Sequence, residues 1–219
     1  MAKHLNERNA KVYYKKRIDI LNKNIDLGSN KKILDIGCGD GTFLKYLKEM
    51  HPKLSCFGVD ISPTQLQVAK YKNDDAKFCV AKAESLPFAD KQFDIVIFNS
   101  VLHHVNEVEL SIKNALRLCK DAGVMVSIEP NRLNPFIFVL SLIKKSERGQ
   151  LRLSLGRLRS LLAGGFKSIT TSSINSLCFP YRMWPPQKFF AFIRKLEDSP
   201  LFFARLRSHF VIIAKHKLL

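Results

Sequence analysis

The segment Ile33-Leu34-Asp35-Ile36-Gly37-Cys38-Gly39-Asp40-Gly41-Thr42 sets three glycines and two acids around the end of a short apolar run. Glycine permits positive φ and lets a ligand approach the backbone closely. A strand that runs into such a turn and then into a helix marks the carboxyl edge of an open α/β sheet, where ligands bind. Asp60 closes a second apolar run, Phe57-Gly58-Val59, at the distance from the loop where an acid can hydrogen-bond two ribose hydroxyls. A dinucleotide fingerprint GxGxxG beginning at Gly37 would need glycine at position 42, where Thr42 stands, so the pattern is GxGxG. Asp35, just before the turn, would repel a pyrophosphate but suits a cationic ligand. Together these residues disfavour NAD and fit S-adenosylmethionine (SAM), a nucleoside with two positive centres and no phosphate.

His103-His104 follows the fourth apolar run, Ile95–Phe98. An imidazole there can act as a general base near neutral pH, and it can equally cap or fill the start of a helix.

The elements that position these residues alternate. Strands are predicted at Ile33–Ile36, Cys56–Val59, Phe78–Ala81, Ile95–Phe98 and Val124–Ile128, with helices over Thr42–Met50, Pro63–Tyr71 and Glu107–Leu118. Ser62-Pro63 supplies an N-cap and a first-turn proline for the second of these helices. Such alternation builds a mostly parallel sheet through right-handed crossovers. Residues 1–30 read as a basic helical lead-in ending at Gly28-Ser29-Asn30. A helix over Leu151–Ala163 stops at Gly164-Gly165, a strand follows near Ile169–Ile174, and the last strand is Phe210–Ala214, so the final pair frames a long insertion and can form an antiparallel edge.

Four segments in this order resemble the class I SAM-dependent methyltransferases, especially the branch acting on small molecules and lipids. ILDIGCGDGTFL is similar to their glycine motif, FGVDIS to the ribose loop, AKAESLPFAD to the adenine-side loop and FDIVIFNSVLHHV to the fourth strand and the methyl-transfer loop. The resemblance implies a Rossmann-like three-layer α/β sandwich with a seven-stranded, mostly parallel sheet whose last strand is antiparallel. It divides the chain into a helical lid segment (1–30), a cofactor-binding core (31–130) and a C-terminal half (131–219) that completes the sheet and carries a basic, aromatic acceptor region at about 180–208. It also implies roles. Gly37, Cys38 and Gly39 would offer backbone contacts to the methionine part, Asp35 would hold the loop and the amino group, and Asp60 would take the ribose hydroxyls. Ile61 would pack on the adenine face, Ala83 and Glu84 would flank its edge, and Asn99 would reach the methionine end through its backbone. Lys82 stands where relatives commonly carry Asp, which leaves the adenine amino group to the backbone or to Glu84. Asn99-Ser100-Val101-Leu102 replaces the Asn/Asp-Pro-Pro-Tyr segment used to methylate exocyclic base amines.

The acceptor class is approached through charge. The chain of 219 residues carries 36 Lys and Arg against 19 acids. Residues 1–32 hold 9 basic and 3 acidic side chains, residues 33–130 hold 11 and 13, and residues 131–219 hold 16 and 3, so the excess lies on the flanks. A basic flank favours an anionic partner. Phe189, Phe190, Phe192, Ile193, Phe202, Phe203 and Leu206 lie among Arg182, Lys188, Arg194, Lys195, Arg205 and Arg207, with Tyr181 and Trp184 nearby. They fit a core face, the wall of an apolar acceptor pocket, or a basic amphipathic helix at a membrane interface, and Asn134–Lys145 (NPFIFVLSLIKK) has the same character. The expected function is methyl transfer to a small or lipid-like acceptor, in the cytoplasm or peripherally at a membrane. An RNA methyltransferase that tracks phosphates with the basic flanks is the alternative, and a SAM-binding scaffold without turnover is a third reading. Five cysteines without CxxC spacing suggest neither a disulfide framework nor a zinc knuckle. The N-terminus lacks the apolar stretch of a signal peptide, and the longest apolar run, Pro135 to Leu140, is too short to span a bilayer.

Overall fold

A computed structural model describes residues 7–28, 30–175 and 206–215. One sheet runs through it in the order β3-β2-β1-β4-β5-β7-β6. The strands are β1 (Lys32–Ile36), β2 (Ser55–Asp60), β3 (Lys77–Val80), β4 (Phe93–Asn99), β5 (Cys119–Pro130), β6 (Ser168–Ile174) and β7 (His209–Lys215). The first five pair in parallel with one another, and β7 is antiparallel to both β5 and β6. This is the expected α/β architecture with an antiparallel strand late in the chain. β1 lies between β2 and β4, so the chain winds to opposite sides from it, and the cleft opens at its carboxyl end.

The central strands are apolar on both faces because helices cover both. Ile33, Ile95, Ile97, Val126 and Ile213 point to one side, where they meet α1 (Glu7–Asn24) and α2 (Thr42–Met50). Leu34, Ile36, Val96, Phe98 and Ile212 point to the other, toward α4 (Val108–Leu118) and α7 (Leu155–Ala163). On the first of these sides α3 (Pro63–Lys72) packs beside α2, with Leu66 and Ala69 in the same cluster. Its N-cap is Ser62, whose hydroxyl accepts from the Gln65 N–H at 3.3 Å, with Pro63 in the first turn.

The N-terminal helix is built into this core. Ile18 and Leu21 are fully buried in one cluster with Phe43, Leu44 and Leu47. The helix expected over Leu151–Ala163 is divided at Leu153-Ser154 into α6 (Gly149–Arg152) and α7. The break has a local cause, since Ser154 accepts a hydrogen bond from the Arg157 N–H at 3.1 Å and caps α7, a job a helix-interior serine cannot do. Asn134 caps α5 (Pro135–Ile143) by accepting from the Phe136 and Ile137 N–H groups. Among the described residues no helix is long and apolar enough to cross a membrane, and the four described cysteines are free. The basic, aromatic stretch from Tyr181 to Arg205 lies outside the described residues.

Because α1 supplies core side chains, Ile18→Ala should lower the unfolding free energy by about 2–5 kcal/mol. Urea denaturation followed by circular dichroism reads this directly, and an unchanged midpoint would show α1 to be an appendage.

Candidate active site

At the end of β1 the chain enters the glycine loop with Gly37, Gly39 and Gly41 all at positive φ. A Cβ on Gly37 would lie 2.3 Å from a Val101 methyl, whereas one on Gly39 would meet nothing within 4 Å and would project into open space. The loop is tied to β2 by one carboxylate. Asp60 accepts from the Gly39 N–H at 2.8 Å through Oδ2 and from the Ser62 N–H at 2.9 Å through Oδ1. Asp40 pairs with Lys72 at 2.6 Å and accepts from the Thr42 hydroxyl at 2.8 Å. Burial pushes the Asp40 pKa up, but these partners outweigh it and hold it below the usual carboxylate range.

Behind the loop Asp35 is 1% exposed, and its Oδ1 has no hydrogen-bond partner among the described residues. Burial, and then the charge of Asp60, raise its pKa well above the ordinary value, while Arg17 opposes them. Arg17 comes from α1 and is itself fully buried. Its guanidinium stacks over the Tyr13 ring at 4.2 Å, donates to the Ser100 hydroxyl at 3.0 Å, and also donates to the Asn99 side chain and the Tyr13 hydroxyl. Ser100 adopts φ 61° directly after β4, a conformation costly for a residue with a side chain and common at sites of function.

The opposite end of the same space is built on a second buried carboxylate. Glu129, near the end of β5, accepts from the Val101 and Leu102 N–H groups at 3.0 and 2.9 Å and binds His103 Nδ1 at 2.6 Å. Glu147 faces the same imidazole, with Oε2 3.6 Å from His103 Nε2 and 4.0 Å from His104 Nε2. Burial alone would lower the His103 pKa, but the hydrogen bond to Glu129 and the nearby charges of Glu129 and Glu147 raise it to about 9. The His103 ring is thus engaged by Glu129 through Nδ1 and faces Glu147 with Nε2. His104 is half exposed, and burial followed by repulsion from His103 moves its pKa down.

The residues named from the sequence for the cofactor and for catalysis converge here. Asp35, Gly37, Cys38, Gly39, Asp60, Ile61, Ala83, Glu84, Asn99, His103 and His104 line one cavity of about 580 Å³, together with Lys82. Arg17, Glu147 and Gln150 line it as well and were not foreseen, nor was Glu129 beneath it. For Arg17 a signal exists: it falls within the apolar stripe Ala10-Tyr14-Ile18-Leu21 of α1, where an unpartnered charge would be costly.

Residues 34–127 match the family model of the methyltransferase domain. Residues 34–127 form a class I SAM-dependent methyltransferase domain. The chain is 32% identical over 116 residues to the ubiquinone biosynthesis O-methyltransferase of Pelagibacter ubique, covering 51% of this chain and 47% of that protein. It is 29% identical over 99 residues to the demethylmenaquinone methyltransferase of Thermotoga maritima, covering 45% and 43%. The chain spans about half the length of the curated relatives it matches. The fold extends beyond the domain: a SAM-dependent methyltransferase from Archaeoglobus fulgidus superposes with TM-score 0.65 over 94% of each chain at 20% identity. The cofactor of the methyltransferase domain is SAM, and the cavity suits it, since the buried Asp35 Oδ1 has no hydrogen-bond partner among the described residues and Gly39 leaves open space at the loop.

Two outcomes follow from the loop. Gly37→Ala should lower the melting temperature well below that of Gly39→Ala, because only the former adds a clash to the strain at positive φ; differential scanning calorimetry separates them. The depressed Asp40 pKa stabilises the fold above the unfolded-state value and is lost as pH falls through the folded-state value. Asp40→Asn should therefore flatten the acid limb of the stability profile below about pH 4 and leave the neutral-to-basic limb unchanged in shape, as measured by urea midpoints across pH.

Proposed function

We propose that this protein transfers a methyl group from SAM to a small-molecule or lipid-like acceptor taken up from a membrane surface. One observation carries the reading: a single cavity has the glycine loop, Asp35 and Asp60 at one end and His103, His104 and Glu147 at the other. SAM supplies a methyl group already activated by the sulfonium. The protein's work is then to hold donor and acceptor in line, which can account for most of the acceleration. Asp60, pre-set by two backbone N–H groups, keeps lone pairs for the ribose hydroxyls. Asp35 is the countercharge for the methionine end, reached past the backbone of Gly37, Cys38 and Gly39. Ile61, Ala83 and Glu84 border the adenine, and Asn99 lines the methionine end, held from behind by Arg17.

The surface of α5 and the residues before it bear on the acceptor's character. Leu133, Phe138, Val139, Leu142 and Ile143 are all about half exposed or more, with Ile143 at 78%, and Lys144 and Lys145 follow at once. Glu147 and Gln150, a few residues on, line the cavity. An apolar helix face edged with lysines beside a site suits partial insertion into an anionic bilayer and capture of a lipid-like acceptor there. Relatives named ubiquinone biosynthesis O-methyltransferase and demethylmenaquinone methyltransferase support an acceptor of small-molecule type.

Labelled SAM incubated with the protein and a cell extract, followed by separation of organic, nucleic-acid and polar fractions, tests the acceptor class. Label in the organic phase is expected, and label in RNA would replace this reading with phosphate tracking by the basic flanks. Asp60→Ala should weaken SAM binding about 10- to 100-fold, the cost of lost hydrogen bonds to a charged acceptor, as measured by calorimetric titration.

A further inference from the structure

The His103, His104 and Glu147 cluster has features that neither a base nor a packing role needs. Among the described residues these three side chains each bring one donor atom within 4.8 Å of the others. His103 Nε2 and Glu147 Oε2 stand 3.6 Å apart, too far for a hydrogen bond and close to the spacing of two ligands on one ion. Zinc held at about 2.0–2.2 Å by nitrogen and oxygen spaces adjacent donors roughly 3.3–3.6 Å apart in a tetrahedron. The 4.0 Å separation to His104 needs only a small inward shift of a half-exposed side chain.

The surroundings are those of a prepared site. Glu129 holds His103 Nδ1 at 2.6 Å and is itself fixed by two backbone N–H groups, leaving Nε2 aimed at the gap. A carboxylate behind a ligating imidazole is the usual outer support of such sites. Glu147 is fixed in turn by Gln150 at 2.6 Å and by Lys144 at 3.1 Å, and Gln150 by the Ser141 hydroxyl at 2.9 Å. Gly149 permits the approach, because a Cβ there would lie 1.7 Å from the His103 carbonyl oxygen. Glu129 and Glu147 are both almost fully buried and require nearby positive charge.

We infer that His103 Nε2, His104 Nε2 and Glu147 Oε2 bind a borderline divalent cation, zinc or a neighbouring first-row metal, leaving one coordination position open to the cavity. Two imidazoles and one carboxylate match that class, and three protein ligands with an open position match a catalytic site. The open position takes an acceptor hydroxyl. Its O–H bond breaks, the proton passes to water, and the electron pair stays on the coordinated oxygen, which becomes the nucleophile for the methyl group. His104 is then a ligand and not a free base. The catalytic use of the ion rests on the methyltransferase reading, whereas the binding of the ion does not.

Chelator-treated protein should take up one equivalent of zinc per chain, with a raised melting temperature, and cobalt substitution should give visible absorption bands of a low-symmetry site. His104→Ala and Glu147→Gln should each weaken uptake at least ~10-fold, and Glu129→Gln by about 10–100-fold. Metal-free His104→Ala, altering a half-exposed side chain, should melt at the temperature of stripped wild-type protein, which separates loss of the metal site from loss of the fold. Failure of stripped wild-type protein to bind zinc or cobalt, or uptake at wild-type affinity by the His104→Ala, Glu147→Gln double variant, would overturn the inference. Metal uptake without SAM binding would instead remove the methyl-transfer reading and leave the metal site standing.

Discussion

Negative charge collected at the carboxyl ends of buried strands is the constraint from which the rest of this structure follows. Asp35 on β1, Asp60 on β2 and Glu129 on β5 end their strands on the same edge of the sheet, and Glu147 joins them from the segment before α6. Carboxylates out of water are costly unless hydrogen-bonded or paired. Much of the irregular structure around the cavity answers that cost. The glycine loop turns its Gly39 N–H to Asp60, the 3₁₀ turn at Leu102–His104 turns backbone N–H groups and an imidazole to Glu129, and α1 brings Arg17 to the neighbourhood of Asp35.

This accounts for why α1 belongs to the core. A guanidinium can be carried to the interior only on a helix whose apolar stripe is buried around it, and Tyr14, Ile18 and Leu21 provide that burial. Arg17 in turn holds Asn99 and Ser100 through two hydrogen bonds, so the left-handed conformation of Ser100 is fixed from a residue some eighty positions away. The acceptor end is organised similarly, with Ser141, Gln150 and Lys144 arranging Glu147 from α5, α6 and the turn between them.

How much of this was readable in the sequence depends on the range of the interaction. The strands, the glycine turn and the Ser62-Pro63 cap are local patterns, and the structure places them within a residue or two of expectation, except that β5 begins at Cys119, five residues before the predicted Val124. Asp60 was legible because its spacing from Gly37 is set by one βαβ unit. Glu129 and Glu147 were not, since nothing near either residue announces a histidine partner that lies 26 and 44 positions away. His103 shows the consequence: nothing in its own segment reveals the two distant acids that face its ring. The split between α6 and α7 was missed for a different reason, because Leu151, Leu158 and Leu162 keep helical periodicity across Ser154 and conceal its capping role.

The place of β7 in the sheet bears on how the chain reaches its fold. It lies between β5 and β6, yet all of Asn175–Ser208 separates it from β6 in the chain. Until β7 arrives, β5 keeps an open hydrogen-bonding edge and β6 has no strand to pair with. Ribosomal synthesis proceeds from the N-terminus, so an exposed, apolar strand edge persists while the intervening segment is made. Exposed edges of that kind invite pairing between chains. Productive folding is thus a race between the arrival of His209–Lys215 and the meeting of two unfinished molecules, and higher expression rates or temperatures shift it toward aggregation.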